Sequence, residues 1–407
     1  VPADPTVTAE LSRLLATLTA ARATKVGFPG AEDIDYGPLA PLLDFELNNI
    51  GDPYDDPVFG HHTKAYEREA VDFFADLFRA PADDRWGYVT SGSTECIQYG
   101  LLRARRLYPD GLVYHCSAAH YKVPRVVQDL RMTGVVVPAD PHGEISYGLL
   151  RDVVDPDRPV IVVATAGTTM TEAVDDIGLI GQVLDEVGAL DRYVHVDAAL
   201  AAIPLGLLPP DQRPHFDFAD GADSLGFSTH KFLAGRWPGG LVLSRQRLSG
   251  NRPGAVTYTG AADTVVAGSR NGHTALQLWY CARTLGVAGL RARAEAARDT
   301  AAYLVERLTG IGWPAWRNPH AFTVVLKSPP PAVARTWALA SEQDGWSHYV
   351  CMPGRDRGQV DDFIDALRAA GDEAPPSWRE PAGRRRRVRP RRPIRPAAAE
   401  PVRRHRG

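Results

Sequence analysis

The chain has 407 residues, 44% hydrophobic and 23% charged, with a formal net charge of −3. That size permits two or three domains with sizeable cores, and no apolar run approaches the ~18 residues a membrane span needs. The four cysteines, Cys96, Cys116, Cys281 and Cys351, are widely scattered and suggest neither a disulfide framework nor a metal-binding pair; with no secretory signal visible, a reducing cytoplasm is the expected compartment.

Residues 1–55 read as an N-terminal segment that joins a helical stretch, TAELSRLLATLTAARA, to a Gly/Pro-rich loop. From 56 to 272 apolar runs alternate with helical patterns. The strand candidates are GYVTSG, LVYHCS, GVVVPA, PVIVVATAG, RYVHVDAA, DSLGFST and GGLVLSR. Most are continuous rather than alternating, as strands buried on both faces are, so the expected fold is α/β around a large, mostly parallel sheet. A long helical stretch from 273 and the runs FTVVLK, HYVCMP and QVDDFIDALRAA predict a smaller C-terminal α+β domain over 273–371. Residues 372–407 read as a disordered Pro/Arg-rich tail. From Arg384 onward it holds eleven Arg against one Glu, a net +10 that leaves −13 on the preceding chain. The tail reads as an incidental extension, and nucleic acid is not an expected partner. No internal repeat is present.

Active sites of such sheets form at the carboxyl ends of the strands. In VTSGSTE, Gly92 and Ser93 start a helix, where they serve as a cap or as an anion cradle. His120 follows LVYHC, and its ring is either an ordinary satisfied imidazole or a stacker on a planar ligand. Thr165 ends VIVVAT at a turn or a polar pocket. Asp197 closes YVHVD, where a carboxylate needs a cationic partner or a capping role; Ala199 is small enough to admit a flat ring. Ser228, His230 and Lys231 lie in FSTHK, where a lysine of lowered pKa can form a Schiff base.

Taken singly each motif is ambiguous. Together they supply a phosphate cradle, a ring stacker, a carboxylate for a ring nitrogen and a reactive amine, which are the parts needed for pyridoxal 5′-phosphate. The order and spacing of TSGSTE, AHY, HVDAA and STHK resemble the group II pyridoxal-phosphate amino-acid decarboxylases. NNIGDP, GTTMTEA, GSRNGH and WRNP are similar to the bacterial-type histidine decarboxylases and their serine decarboxylase relatives, from about Phe28 to about Ala370.

The resemblance implies a fold-type I, aspartate-aminotransferase-like architecture and a homodimer with shared active sites. It implies Lys231 as the covalent anchor, Asp197 on the ring nitrogen, His120 on one ring face and Ala199 on the other. Gly92, Ser93, Ser228 and His230 would hold the phosphate and Thr165 the 3-oxygen, with Lys231, His120 and Asp197 carrying the chemistry. Ser269 and Arg270 would lie in a loop near the cofactor of the same or the neighbouring subunit. The expected reaction is loss of the α-carboxylate of an L-amino acid, either histidine-like or a modified biosynthetic one. Two places depart from the family pattern. Ala321 stands, after His320, where a serine is expected in an RNPNS run, and Phe28-Pro29-Gly30 replaces a loop carrying YP and a polar residue. The alternatives at this stage are another outcome on the same cofactor (transamination, elimination or oxidative deamination) and a binding or scaffold protein using its basic tail.

Overall fold

The computed structural model describes residues 4–249, 253–342 and 344–371; the basic tail lies outside them. The chain opens with α1 (Pro5–Arg22), capped by the Asp4 side chain accepting from the Thr6 amide at 2.7 Å. A 3-10 stretch (Gly37–Asp44) and α2 (Lys64–Leu77) follow. The main alternation is then β1 (Trp86–Thr90), α3 (Ser93–Leu107), β2 (Leu112–Cys116), α4 (Lys122–Asp129), β3 (Thr133–Val137), α5 (Tyr147–Val153), β4 (Val160–Thr165), α6 (Ile177–Glu186), β5 (Arg192–Asp197), α7 (Ala202–Gly206), β6 (Ser224–Ser228) and β7 (Gly240–Ser244).

These seven strands form one sheet in the order β1-β7-β6-β5-β4-β2-β3. Only β7 runs against the others, pairing antiparallel with both β1 and β6. Every residue of β1, β2, β4, β6 and β7 is buried, because helices or further chain cover both faces. The edge strand β3 departs from that expectation: Thr133, Gly134 and Val136 are exposed, since one of its sides has no neighbouring strand and its faces lie near the rim. Aromatic packing fixes α2 onto the sheet, with the Phe227 ring centroid 5.0 Å from that of Phe74 and 5.7 Å from that of Phe78. All three rings are fully buried, each worth roughly 1.5–3 kcal/mol of apolar transfer.

Helix α3 approaches the sheet closely because two glycines permit it. A side chain at Gly100 would collide with the His195 ring of β5, and one at Gly226 of β6 would collide with Cys96 of α3.

A two-stranded ribbon, β8 (Ala255–Val256) and β9 (Ala261–Ala262), leads to α8 (Gly272–Gly310), which Asn271 caps by accepting from the His273 and Thr274 amides. The helix is broken at Gly286, whose φ of 56° lies in the left-handed region that glycine tolerates. Beyond it a second sheet, in the order β10-β11-β13-β12, is wholly antiparallel: β10 (Ala315–Trp316), β11 (Thr323–Lys327), β12 (Ala340–Ser341) and β13 (Trp346–Val350). Helices α9 (Pro331–Thr336) and α10 (Arg357–Gly371) complete this smaller region. Among the described residues no helix is long and apolar enough to cross a membrane.

Candidate active site

Six strands end on the same side of the large sheet, and all nine residues singled out from the sequence lie there, at or just beyond the ends of β1, β2, β4, β5 and β6. Register brings several together. Thr165 and Asp197 are paired neighbours on β4 and β5, and Asp197 in turn pairs with Gly226 of β6. The Ser228 amide donates to the Ala199 carbonyl at 3.3 Å. Ser93, at the start of α3, meets Ser228 with 2.7 Å between their hydroxyl oxygens, although the two are 135 residues apart in sequence. Helix α3 begins at Gly92 with no side-chain cap, so its first turn faces the same edge.

Lys231 sits in the loop between β6 and β7. That loop is pinned by the Thr229 amide donating to Gly239 O at 2.9 Å and by His230 Nδ1 lying 3.2 Å from the Gly239 backbone. Burial lowers the pKa of Lys231, and the charge of Asp197 opposes the shift. Burial likewise raises Asp197, against the Lys231 charge and the Ala199 N–H. The two groups sense one another without forming an ion pair. Asp197 is 3% exposed, and it accepts a long hydrogen bond, 3.3 Å, from the Ala199 amide. His120 is pushed down to about 4, first by burial and then by Lys231 and Lys122, so its imidazole is neutral at pH 7.

Ser269 and Arg270 lie in the loop that leads into α8, and Arg270 contacts the end of β1 at Val89 O. The Arg270 guanidinium turns into its own chain, pairing with buried Glu67 and donating to Gly51 O at 3.0 Å and Val89 O at 3.2 Å. Ser269 is exposed and accepts from Asn48 Nδ2 at 3.1 Å.

The two departing segments both reach this edge. The Ala31 amide, just past Phe28-Pro29-Gly30, donates to Lys231 O at 3.2 Å. The Phe322 ring, next to Ala321, has its centroid 6.5 Å from that of Phe232, next to Lys231.

Residues that sequence reasoning did not single out organise the surroundings. Asp175 accepts from the amides of Thr165 at 2.8 Å and Ile145 at 2.7 Å and so holds the end of β4; burial raises its carboxyl to about 7. Glu172 accepts from the amides of Phe322 and Thr323. His348 of β13 lies with Nε2 2.9 Å from Gly27 O. The only local hint of the first two was acidic character in MTEAVDD, a stretch that also holds Asp176, which caps α6 and meets His215.

The arrangement fits pyridoxal phosphate. A dry carboxylate with one long hydrogen bond suits a protonated ring nitrogen. The Thr165 and Thr229 hydroxyls are buried and have no hydrogen-bond partner, so polar groups stand ready for a ligand. An amine of lowered pKa lies beside them.

Comparison with known proteins agrees. The pyridoxal-dependent decarboxylase conserved domain matches residues 63–313. The chain is 40% identical over 370 residues to a histidine decarboxylase of Mesorhizobium japonicum, covering 89% of this chain and 98% of that protein. It is 36% identical over 344 residues to that of Morganella morganii, covering 84% and 90%. The L-methionine decarboxylase of Streptomyces sp. 590 shares the fold with a TM-score of 0.84 at 23% identity, over 92% of this chain and 98% of that one. The chain belongs to the pyridoxal-dependent decarboxylase family: it is a fold-type I enzyme that removes the carboxylate of an amino acid with pyridoxal phosphate as its cofactor.

Proposed function

We propose that the substrate is L-histidine or a close or modified analogue, released as the corresponding amine and CO2. The observation that carries this reading is the 40% identity that extends across 98% of a histidine decarboxylase. The replacement of an expected serine by Ala321 is what keeps a modified analogue in the substrate class.

Pyridoxal phosphate, when bound, supplies a ring that accepts the electron pair of the Cα–carboxylate bond as CO2 leaves. The residues of this chain hold and tune it. Lys231 presents the amine for covalent attachment, and its lowered pKa enlarges the neutral, nucleophilic fraction. Asp197 holds a proton at the ring nitrogen, a fixed countercharge in a water-poor position. His120 stacks on one face as a neutral ring and so adds no second positive charge beside Lys231. Ala199 bounds the other face. Gly92, Ser93, Ser228 and His230 take the phosphate, and the unpartnered Thr165 hydroxyl takes the 3-oxygen. Phe28–Gly30 and Arg317–Ala321 form the substrate side.

The domain division at about 55, 272 and 371 belongs to the same reading, with α8 starting the smaller part at Gly272. So does a homodimer with shared sites. In support, α1 exposes Val7, Leu11, Leu14, Leu15 and Leu18, an i, i+4, i+7, i+8, i+11 stripe left uncovered among the described residues. Exposed Ser269 leaves its loop open to a neighbouring copy. Sedimentation of the purified protein tests the dimer, and a cytoplasmic location is part of the proposal.

The substrate test is a panel of L-amino acids, including histidine, serine and modified analogues, under air and under argon. Matched CO2 and amine from histidine or one of its analogues support the reading. Amine only from an amino acid unlike histidine, such as serine, or keto acid, aldehyde or oxygen uptake, overturns it.

A further inference from the structure

Glu172 lies in the loop between β4 and α6 with φ of +53°, a conformation uncommon for a residue with a side chain. Its carboxylate is buried, with the residue 3% exposed. A strained backbone carrying a buried acid is unfavourable on both counts unless the side chain has a definite task. The task is visible in its partners: Oε2 accepts from the Phe322 amide at 3.2 Å and the Thr323 amide at 2.8 Å, 150 and 151 residues away.

The same two segments are tied at further points. Asn318 Nδ2 donates to Thr171 O at 2.9 Å and to His142 O at 3.0 Å. Arg298 Nε donates to His320 O at 2.9 Å, and the Arg298 charge partly offsets the burial of Glu172. On the other side, the Glu172 amide donates to Thr168 O at 2.8 Å, and the Asp175 amide donates to Thr165 O at 2.9 Å. The loop that carries Glu172 is therefore fastened at Thr168 and, through Asp175, at Thr165 beside Asp197, and Glu172 joins that loop to the amides that immediately follow Ala321.

We propose that Glu172 is a positioning residue: it sets His320, Ala321 and Phe322 against the Lys231 loop, and thereby fixes which amino-acid side chain the enzyme accepts. This rests on the reading above that the Arg317–Ala321 segment faces the substrate.

The test compares Glu172→Gly and Glu172→Asn with Glu172→Gln in the holoenzyme. Gly and Asn both tolerate the left-handed backbone but cannot reach the two amides, whereas Gln keeps an acceptor at the same reach. The expected result for Gly and Asn has three parts. The cofactor absorbance and melting temperature stay near wild type, amide exchange in the 317–324 peptide accelerates, and KM for L-histidine rises about tenfold or more with a smaller change in kcat. Gln should restore slow exchange and a near-wild-type KM. Unchanged KM in Gly and Asn despite faster exchange overturns the proposal. So does equal impairment in Gln, or loss of fold or cofactor in Gly and Asn, which assigns Glu172 to stability alone. A wild-type enzyme inactive on histidine refutes the substrate reading instead. In that case the same variants are scored on whichever panel amino acid the wild type decarboxylates.

Discussion

Lys231, Asp197 and Thr165 reach the site at or just beyond the ends of neighbouring strands, so backbone pairing sets their spacing. His320 and Ala321 reach it on a segment tied to the large sheet by single side chains, Glu172, Asn318 and Arg298. The first wall is fixed by the ladder of the sheet itself. The second is held in the small sheet by its own ladder, where Phe322 O accepts from the Cys351 amide at 2.9 Å. Its attachment to the large sheet, however, depends on a few bonds between side chain and backbone, which one substitution can alter. An enzyme built this way can change its substrate while its cofactor wall stays intact.

The comparison breaks most completely at Lys231. Lys231→Ala should remove the visible cofactor band and reduce decarboxylation by more than about 10³-fold, in line with losing a covalent nucleophile. A surviving band would remove the lysine from its assigned place. Asp197→Ala should lower kcat by about 10²–10³-fold, the scale of losing one preorganised electrostatic group. In cofactor-free protein its melting temperature should hold or rise, because burial opposes this carboxylate. Steady-state kinetics and a thermal melt separate the two effects.

Arg270→Ala sharpens the contrast from outside both walls. It leaves Glu67 buried without its cation, and breaking such a pair costs about 3–5 kcal/mol. The expected outcome is a large drop in melting temperature with kcat/KM preserved in the folded fraction. A selective loss of activity at unchanged stability would instead place the loop in the chemistry. Ala321→Ser acts on the substrate wall alone. It should leave the absorbance untouched and shift the preference for histidine over other panel members by about tenfold or less.

The smallest effect is in pH dependence. Burial raises the carboxyls of both Glu172 and Asp175 to about 7. Between their ordinary values, near 4, and 7 the folded chain holds protons that the unfolded chain has lost. The stability contributed by the neutral forms is therefore complete below that window, declines through it and levels off above. Glu172→Gln should remove its share, so the melting temperature of the variant relative to wild type should climb by a few degrees from pH 5 to 7.5.

The positions of the residues proposed for the cofactor wall were legible in the sequence because each sits at or within a few positions of the end of an apolar run. The same logic overreached at GVVVPA, which reads as a buried strand, whereas β3, Thr133–Val137, occupies the sheet edge. It also gave no sign of the Arg270 partner, Glu67, 203 residues away in the chain. The substrate wall was legible only as a departure from a motif at Ala321. Its anchor was not, because nothing near Glu172 in the chain indicates that Phe322 and Thr323 lie beside it. Asp175 and Asp176 show the limit most simply. They are adjacent and chemically identical, yet one is buried beneath β4 and the other caps α6.

The close approach of α3 to the sheet bears on how a mutational scan of this enzyme should be interpreted. Gly100 and Gly226 are not among the residues proposed to hold the cofactor, yet any larger residue at either would push α3, and Ser93 with it, away from Ser228. In a saturation library selected for turnover these two positions would be as intolerant as Lys231. A map of intolerance alone would count them among the reacting groups, and only a parallel measurement of cofactor retention would reveal them as spacers.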